Sequence, residues 1–151
     1  MSRALMAYLA NECKAVGEFV VLLDQEAEAM TSGAFSTLGT LAEQKLKLVD
    51  AIAVLDCQRE AEQQALGFSA DRRGADAAVA GNAAMQTIWK DLCKRAAQAH
   101  GKNHRNGVMI HTHLGFITQS ISFLQAGGQP MYGRDGVQHS GAGNGNRIAI
   151  G

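Results

Sequence analysis

The sequence predicts an all-α protein: an antiparallel bundle of three long helices, with a fourth if the last of them bends, followed by a Gly-rich C-terminal tail. Three observations predict it. The single proline stands at position 130, so the first 129 residues lack the strongest helix breaker. Ala, Leu, Gln and Glu dominate that region, and all are good helix formers. Its apolar residues recur at steps of three and four, the spacing of one helix face. A chain of 151 residues has room for one domain with a real core, placed here at 1–126, and 127–151 is left as the tail.

The first helix is expected from Ser2, a suitable N-cap, to about Thr31. Leu5, Leu9, Val16, Phe19, Leu23 and Met30 mark its buried face, and Glu12, Glu18, Asp24, Glu26 and Glu28 line the rest. Ser32 and Gly33 interrupt it so briefly that the next helix should turn back antiparallel. That second helix is expected over 34–66, with Leu38, Leu41, Leu48, Ile52, Leu55 and Leu66 on its seam and Gly67 placed as a left-handed C-cap. Lys45 and Arg59 fall on or near the seam, so their stems can lie along it while the charged heads reach toward the acids of the first helix. Residues 67–81, GFSADRRGADAAVAG, read as a long loop.

The third helix is the longest, about 82–126. Met85, Trp89, Leu92, Ala96, Ala99, Asn103, Asn106 and Ile110 carry one three-four spacing along it. At roughly 1.5 Å per residue, the first two helices are each about 45 to 50 Å long and the third is near 67 Å. In an up-down-up order the excess falls at its C-terminal end. Gly101, Gly107 and Gly115 offer the alternative of a kink that folds this end back as a fourth helix.

That C-terminal end is the most unusual stretch in the chain. Nothing between Asn106 and Gly133 is Asp, Glu, Lys or Arg, although 19% of the residues are charged. Ile110, Leu114, Ile117, Ile121 and Leu124 form an amphipathic seam, with Phe116 and Phe123 on its edge and Met109 seven residues before Phe116. The other face is His, Thr, Gln and Ser. A neutral helix with a broad apolar side is suited to lie against another protein surface, and an uncovered ridge of this size is a binding site or an aggregation hazard. Asn103 and Asn106 stand at seam positions. Polar residues there either mark a wet stretch of helix or hydrogen-bond a partner or a neighbouring helix, fixing register.

Charge and cysteine usage narrow the function. Net charge is zero, but 1–66 hold ten acids and five bases, 67–106 three acids and seven bases, and the rest one acid and two bases. An acidic front and a basic third segment should attract within the fold. Without an overall basic excess or aromatic-basic interleaving, nucleic acid is not an expected partner. Cys13, Cys57 and Cys93 are odd in number and widely spaced, which predicts buried thiols in a reducing compartment. The amino terminus does not read as a signal peptide, and the uncharged run at 108–126 is only about half apolar with His111 and His113 inside it, so membrane insertion is not expected. A cytoplasmic protein is the reading.

Catalytic signatures are missing. Cys93, His100, His104 and His111 share a helical stripe, but only His100 and His104 are spaced to chelate one ion, too few for a zinc site. The late GAGNGN run neither follows a strand nor opens a helix, so it is not a dinucleotide loop. No Walker loop, partnered nucleophile or converging carboxylate pair can be placed, and Trp89 is a core anchor. An enzyme is not expected, and no cofactor or metal is assigned. Eight of the residues from Gly127 on are glycine, a composition that holds no packed core by itself.

The order of these features resembles the FlgN-type flagellar export chaperones. The residues that carry the resemblance are a second arm with Leu41, Lys45, Leu48, Ile52, Leu55, Arg59 and Leu66-Gly67, then a loop, Trp89 and Leu92, then Asn103-x-x-Asn106-Gly107 leading into the apolar helix, and finally Tyr132-x-x-x-Gly136. The resemblance implies a cytoplasmic chaperone that binds the C-terminal segments of the hook-filament junction proteins, the hook-associated proteins, through its C-terminal helix and passes them to the flagellar type III export apparatus. Carried onto this chain, the partner-binding residues would be Asn103, Asn106, Ile110, Leu114, Phe116, Ile117, Ile121, Phe123, Leu124 and Tyr132. The rival reading is a structural helical protein that self-associates through the same seam, and homodimerisation is left open.

Overall fold

The computed structural model describes residues 2–128, and among these it contains four α-helices and no strand. Helix α1 spans Arg3–Ser32, a short 3-10 turn follows at Phe35–Thr37, α2 spans Leu38–Ala65, α3 Arg72–Val79 and α4 Ala83–Gly128. Tyr132 and most of the expected Gly-rich tail lie outside the described residues. The chain divides into two compact units, Met1–His104 and Arg105–Gly151.

Local chemistry sets the helix ends. Ser2 caps α1, its hydroxyl accepting from the Leu5 N–H at 3.0 Å. Gly33 ends α1 at φ 79, where a side chain would be strained, and its N–H closes on the Ala29 carbonyl. Gly67 ends α2 in the same left-handed region at φ 90. Asn82 caps α4, its side-chain oxygen accepting from the Met85 N–H at 3.0 Å. Helix α4 continues through Gly101, Gly107 and Gly115, so the expected alternative of a fourth helix made by folding back its end does not occur.

Cross-helix pairs give the directions within the first unit. Ser2 meets Glu62, Glu12 meets Arg59 and Glu26 meets Lys45, so α2 runs antiparallel to α1. Cys13 meets Asp91 and Asp24 meets Lys102, so the first part of α4 runs parallel to α1. This is the expected up-down-up order. Leu5, Leu9, Cys13, Val16 and Leu23 of α1 form one core with Ala75 and Val79 of α3 and with Met85, Trp89, Leu92 and Ala99 of α4.

The expected loop at 67–81 needs correction. Residues 72–79 are a helix, capped by Asp71, whose carboxylate accepts from the Gly74 N–H at 2.8 Å and from the Ser69 hydroxyl at 2.6 Å. These two hydrogen bonds hold the Asp71 carboxyl below its ordinary pKa. Gly74 is required by close approach: a Cβ there would lie 1.7 Å from the Ser69 carbonyl oxygen. Leu66 is exposed and not buried on the seam of α2, because the helix has already ended at Ala65.

Two acids expected on a solvated face of α1, Glu12 and Glu26, are buried instead, because each has a base from α2 beside it. Glu26 pairs with Lys45 at 3.4 Å. Glu12 accepts from Arg59 Nε at 2.7 Å, and Arg59 also donates to Gln63 and Asp56. The Arg59 guanidinium stacks 5.1 Å from the centre of the Trp89 ring. Gln63 passes the network on, donating to the carbonyls of Ser69 at 2.9 Å and Asp71 at 3.3 Å, while the Trp89 indole N–H donates to Asp76 at 2.6 Å. Trp89 is thus the core anchor that the sequence predicts, and it also carries one edge of a polar network. Burial pushes the Glu12 carboxyl up to about 7, although Arg59 opposes the shift.

Candidate partner-binding surface

Helix α4 changes character along its length. In the first unit it contributes core residues at Met85, Trp89, Leu92 and Ala99, while Ala96 and Asn103 of the predicted seam are exposed. Asn103 is therefore a surface residue. Asn106, three residues later, is fully buried, and its Oδ1 accepts from Nε and Nη2 of Arg105 at 3.4 Å. The two asparagines occupy different environments, which identical residue types in one motif could not reveal.

Beyond Asn106 the helix is largely bare. Leu114, Phe116, Ile117, Ile121, Phe123 and Leu124 are between 39% and 76% exposed, and Ile110 and Met109 are half-buried. Residues 107–128 include no Asp, Glu, Lys or Arg. Thr112 and Thr118 return their hydroxyls to the carbonyls of Val108 and Leu114 at 2.9 Å, so part of the polar face is satisfied by its own backbone. Apart from His111 and His113 the side chains here are not ionisable, and the stretch offers apolar contact over several turns. Such a surface can bind an amphipathic segment by burial.

Eight of the ten predicted partner-binding residues thus lie on one continuous helical stretch or at its border, Ile110 and Asn106 being less accessible than the rest. Asn103 stands apart in the first unit, and Tyr132 lies outside the described residues. A second exposed apolar group, Leu46, Val49 and Val54, was missed on α2. For Leu46 and Val49 the signal was present in the spacing of Ala42, Leu46, Val49 and Ala53, at steps of four, three and four, whereas Val54 falls off that stripe.

Other chemistry is sparse. Among the described residues no three His, Cys, Asp or Glu side chains are gathered as a metal site would need. Burial raises the pKa values of Cys13 and Cys93, keeping both as thiols, and a hydrogen bond to Asp91 adds to the effect at Cys13. Cys57 is exposed, contrary to the expectation that all three thiols are buried, because it sits on the face of α2 turned away from the core. No helix among the described residues is long and apolar enough to cross a membrane.

No curated protein and no solved structure matches this chain. A family model does match, that of the FlgN protein, over residues 1–140, a span that takes in all the described helices. The chain belongs to the FlgN family of flagellar export chaperones.

Proposed function

We propose that the protein is a cytoplasmic chaperone that binds the C-terminal segments of flagellar hook-associated proteins, hides their assembly surface and hands them to the flagellar export apparatus. The observation that carries this reading is the exposed, uncharged ridge of Leu114, Ile117, Ile121 and Leu124 on α4 of a FlgN-family chain. Recognition is of the helix-against-helix kind: an amphipathic segment of the client folds along the ridge and is buried there. Ordering that segment costs free energy, so affinity is moderate and release at the export gate is accessible. Binding and release need no nucleotide, and the chaperone itself catalyses no reaction.

The test is the double substitution Ile117→Asp with Ile121→Asp. Both positions are exposed, so far-UV circular dichroism should remain close to wild type. Burying two carboxylates without counter-charges, and losing two isoleucines each worth about 1.5–3 kcal/mol, should lower client affinity by more than about a thousandfold. Retained binding of a C-terminal hook-associated peptide, measured by titration calorimetry, refutes the site. A stable homodimer in light scattering, lost in the same variant, assigns the ridge to self-association instead.

A further inference from the structure

The exposed part of α4 carries its apolar side chains in two ridges. At about 100° per residue, Ile110, Leu114, Ile117, Ile121 and Leu124 fall within an arc of about 80°. Met109, Phe116 and Phe123, spaced by sevens, fall in a second arc centred about 120° from the first. His113 and Ser120, also seven apart, lie between the two. They are the half-buried residues of 111–126, where every other position is exposed. Large side chains therefore stand on either side of a shallow polar trough.

A single partner helix packs along one seam at about 8–10 Å, and a pairwise seam is narrower than about 100°. Ridges centred about 120° apart cannot both face one such axis. Two helices placed over them at about 9 Å would lie about 16 Å from each other, too far to pack together, with His113 and Ser120 beneath the gap. Both ridges cover the same few turns, and neither offers a charge to meet a buried carboxylate or ammonium.

Area selects the occupant of the second ridge. Two phenylalanines and a half-buried methionine supply about 500 Å² on this side, below the roughly 800 Å² per partner of a stable interface, so this ridge alone is too small to hold a second copy of the chain. A helix tethered to one already seated on the first ridge binds at high effective concentration and needs far less area. We infer that one client supplies two uncharged-faced amphipathic helices, one on the Leu/Ile ridge and one on the Met/Phe ridge, so that α4 is clasped from two sides. This rests on the proposed client-binding reading.

The test measures binding of the full-length chain to two C-terminal fragments of a hook-associated protein. One has about 20 residues, enough for a single helix along the ridge, and the other about 50, enough for two helices and a turn. Wild type should hold the longer fragment at least about tenfold tighter. Phe116→Ala with Phe123→Ala should abolish that gain and leave the short fragment within about twofold, whereas Ile117→Ala with Ile121→Ala should weaken both by more than about tenfold. Equal affinity of wild type for the two fragments overturns the second helix. So does loss of the short fragment on the phenylalanine substitutions, which would mean one broad face for one helix. Sedimentation of the wild type as a dimer that these substitutions dissolve would give the ridge to a second copy and overturn the inference. If neither fragment binds wild type, the client reading itself fails, a result distinct from binding without a gain from length.

Discussion

Replacing Glu12 by Gln removes the one buried titrating carboxyl of the core network while keeping an oxygen for Arg59. In the folded protein this carboxyl is pushed from 4.5 up to about 7, chiefly by burial, so the fold holds a proton that the unfolded chain releases at lower pH. A raised acid pKa has a definite sign. Its stabilising effect is complete below pH 4.5, fades as the pH rises toward 7, and is gone above it. The gap of 2.5 between the two values corresponds to about 3 kcal/mol in full, of which about 2.5 kcal/mol falls between pH 5 and pH 8. Urea unfolding of wild type and Glu12→Gln across that range should therefore show the variant gaining about 2.5 kcal/mol on the wild type, with unchanged dependence on denaturant. A difference that stays constant with pH, or that runs in favour of wild type at pH 8, refutes the reasoning. It would mean that Arg59, 2.7 Å away, keeps Glu12 ionised and that the pair is a net source of stability.

Two further outcomes follow. Gly74→Ala should destabilise the fold by about 3 kcal/mol and lower Tm by roughly 10 °C, because the new Cβ would strike the Ser69 carbonyl and the backbone of the capped turn must move; a thermal melt checks it. Client affinity should change by less than about twofold between low and high salt, since the exposed part of α4 has no Asp, Glu, Lys or Arg to be screened; calorimetry at two NaCl concentrations decides, and a steep salt dependence would place recognition elsewhere on the chain.

The long elements were legible because their signals are long. Thirty residues of α1 repeat the apolar spacing often enough that Leu5, Leu9, Val16 and Leu23 identify its buried side without any partner in view. Caps at Ser2, Gly33, Gly67 and Asn82 belong to residue types whose local hydrogen bonding or backbone freedom fixes a boundary. Helix α3 was not legible for the opposite reason. Eight residues are barely two turns, its apolar contribution is Ala75 and Val79, and its glycine reads as a breaker until the Ser69 carbonyl is seen against it. The burial of Glu12 was hidden because a charged residue reads as solvated unless its partner is known, and that partner is 47 positions away. Arg59 did betray itself, since a base on an apolar seam has to send its head somewhere. The bareness of residues 114–124 was legible from α4's excess length and lack of charge, whereas the burial of Asn106 is not distinguished by spacing from the exposure of Asn103.

The placement of the polar network bears on how a chaperone can display an apolar ridge and remain folded. Arg59, Gln63, Trp89 and Asp76 tie α2, α3 and the first part of α4 together inside the first unit, and no buried side-chain polar atom among the described residues lacks a partner. The stability of that unit therefore comes from contacts that include none of Leu114, Ile117, Ile121 or Leu124. If the client binds this ridge as proposed, its binding has no folding of this core to drive, and its free energy is set against ordering of the client. An arrangement in which the same leucines and isoleucines both completed the core and held the client would lose the chaperone fold each time the client left. On the proposed reading the two tasks are separated along one helix, which avoids that coupling, and substitutions on the exposed ridge should leave the core intact.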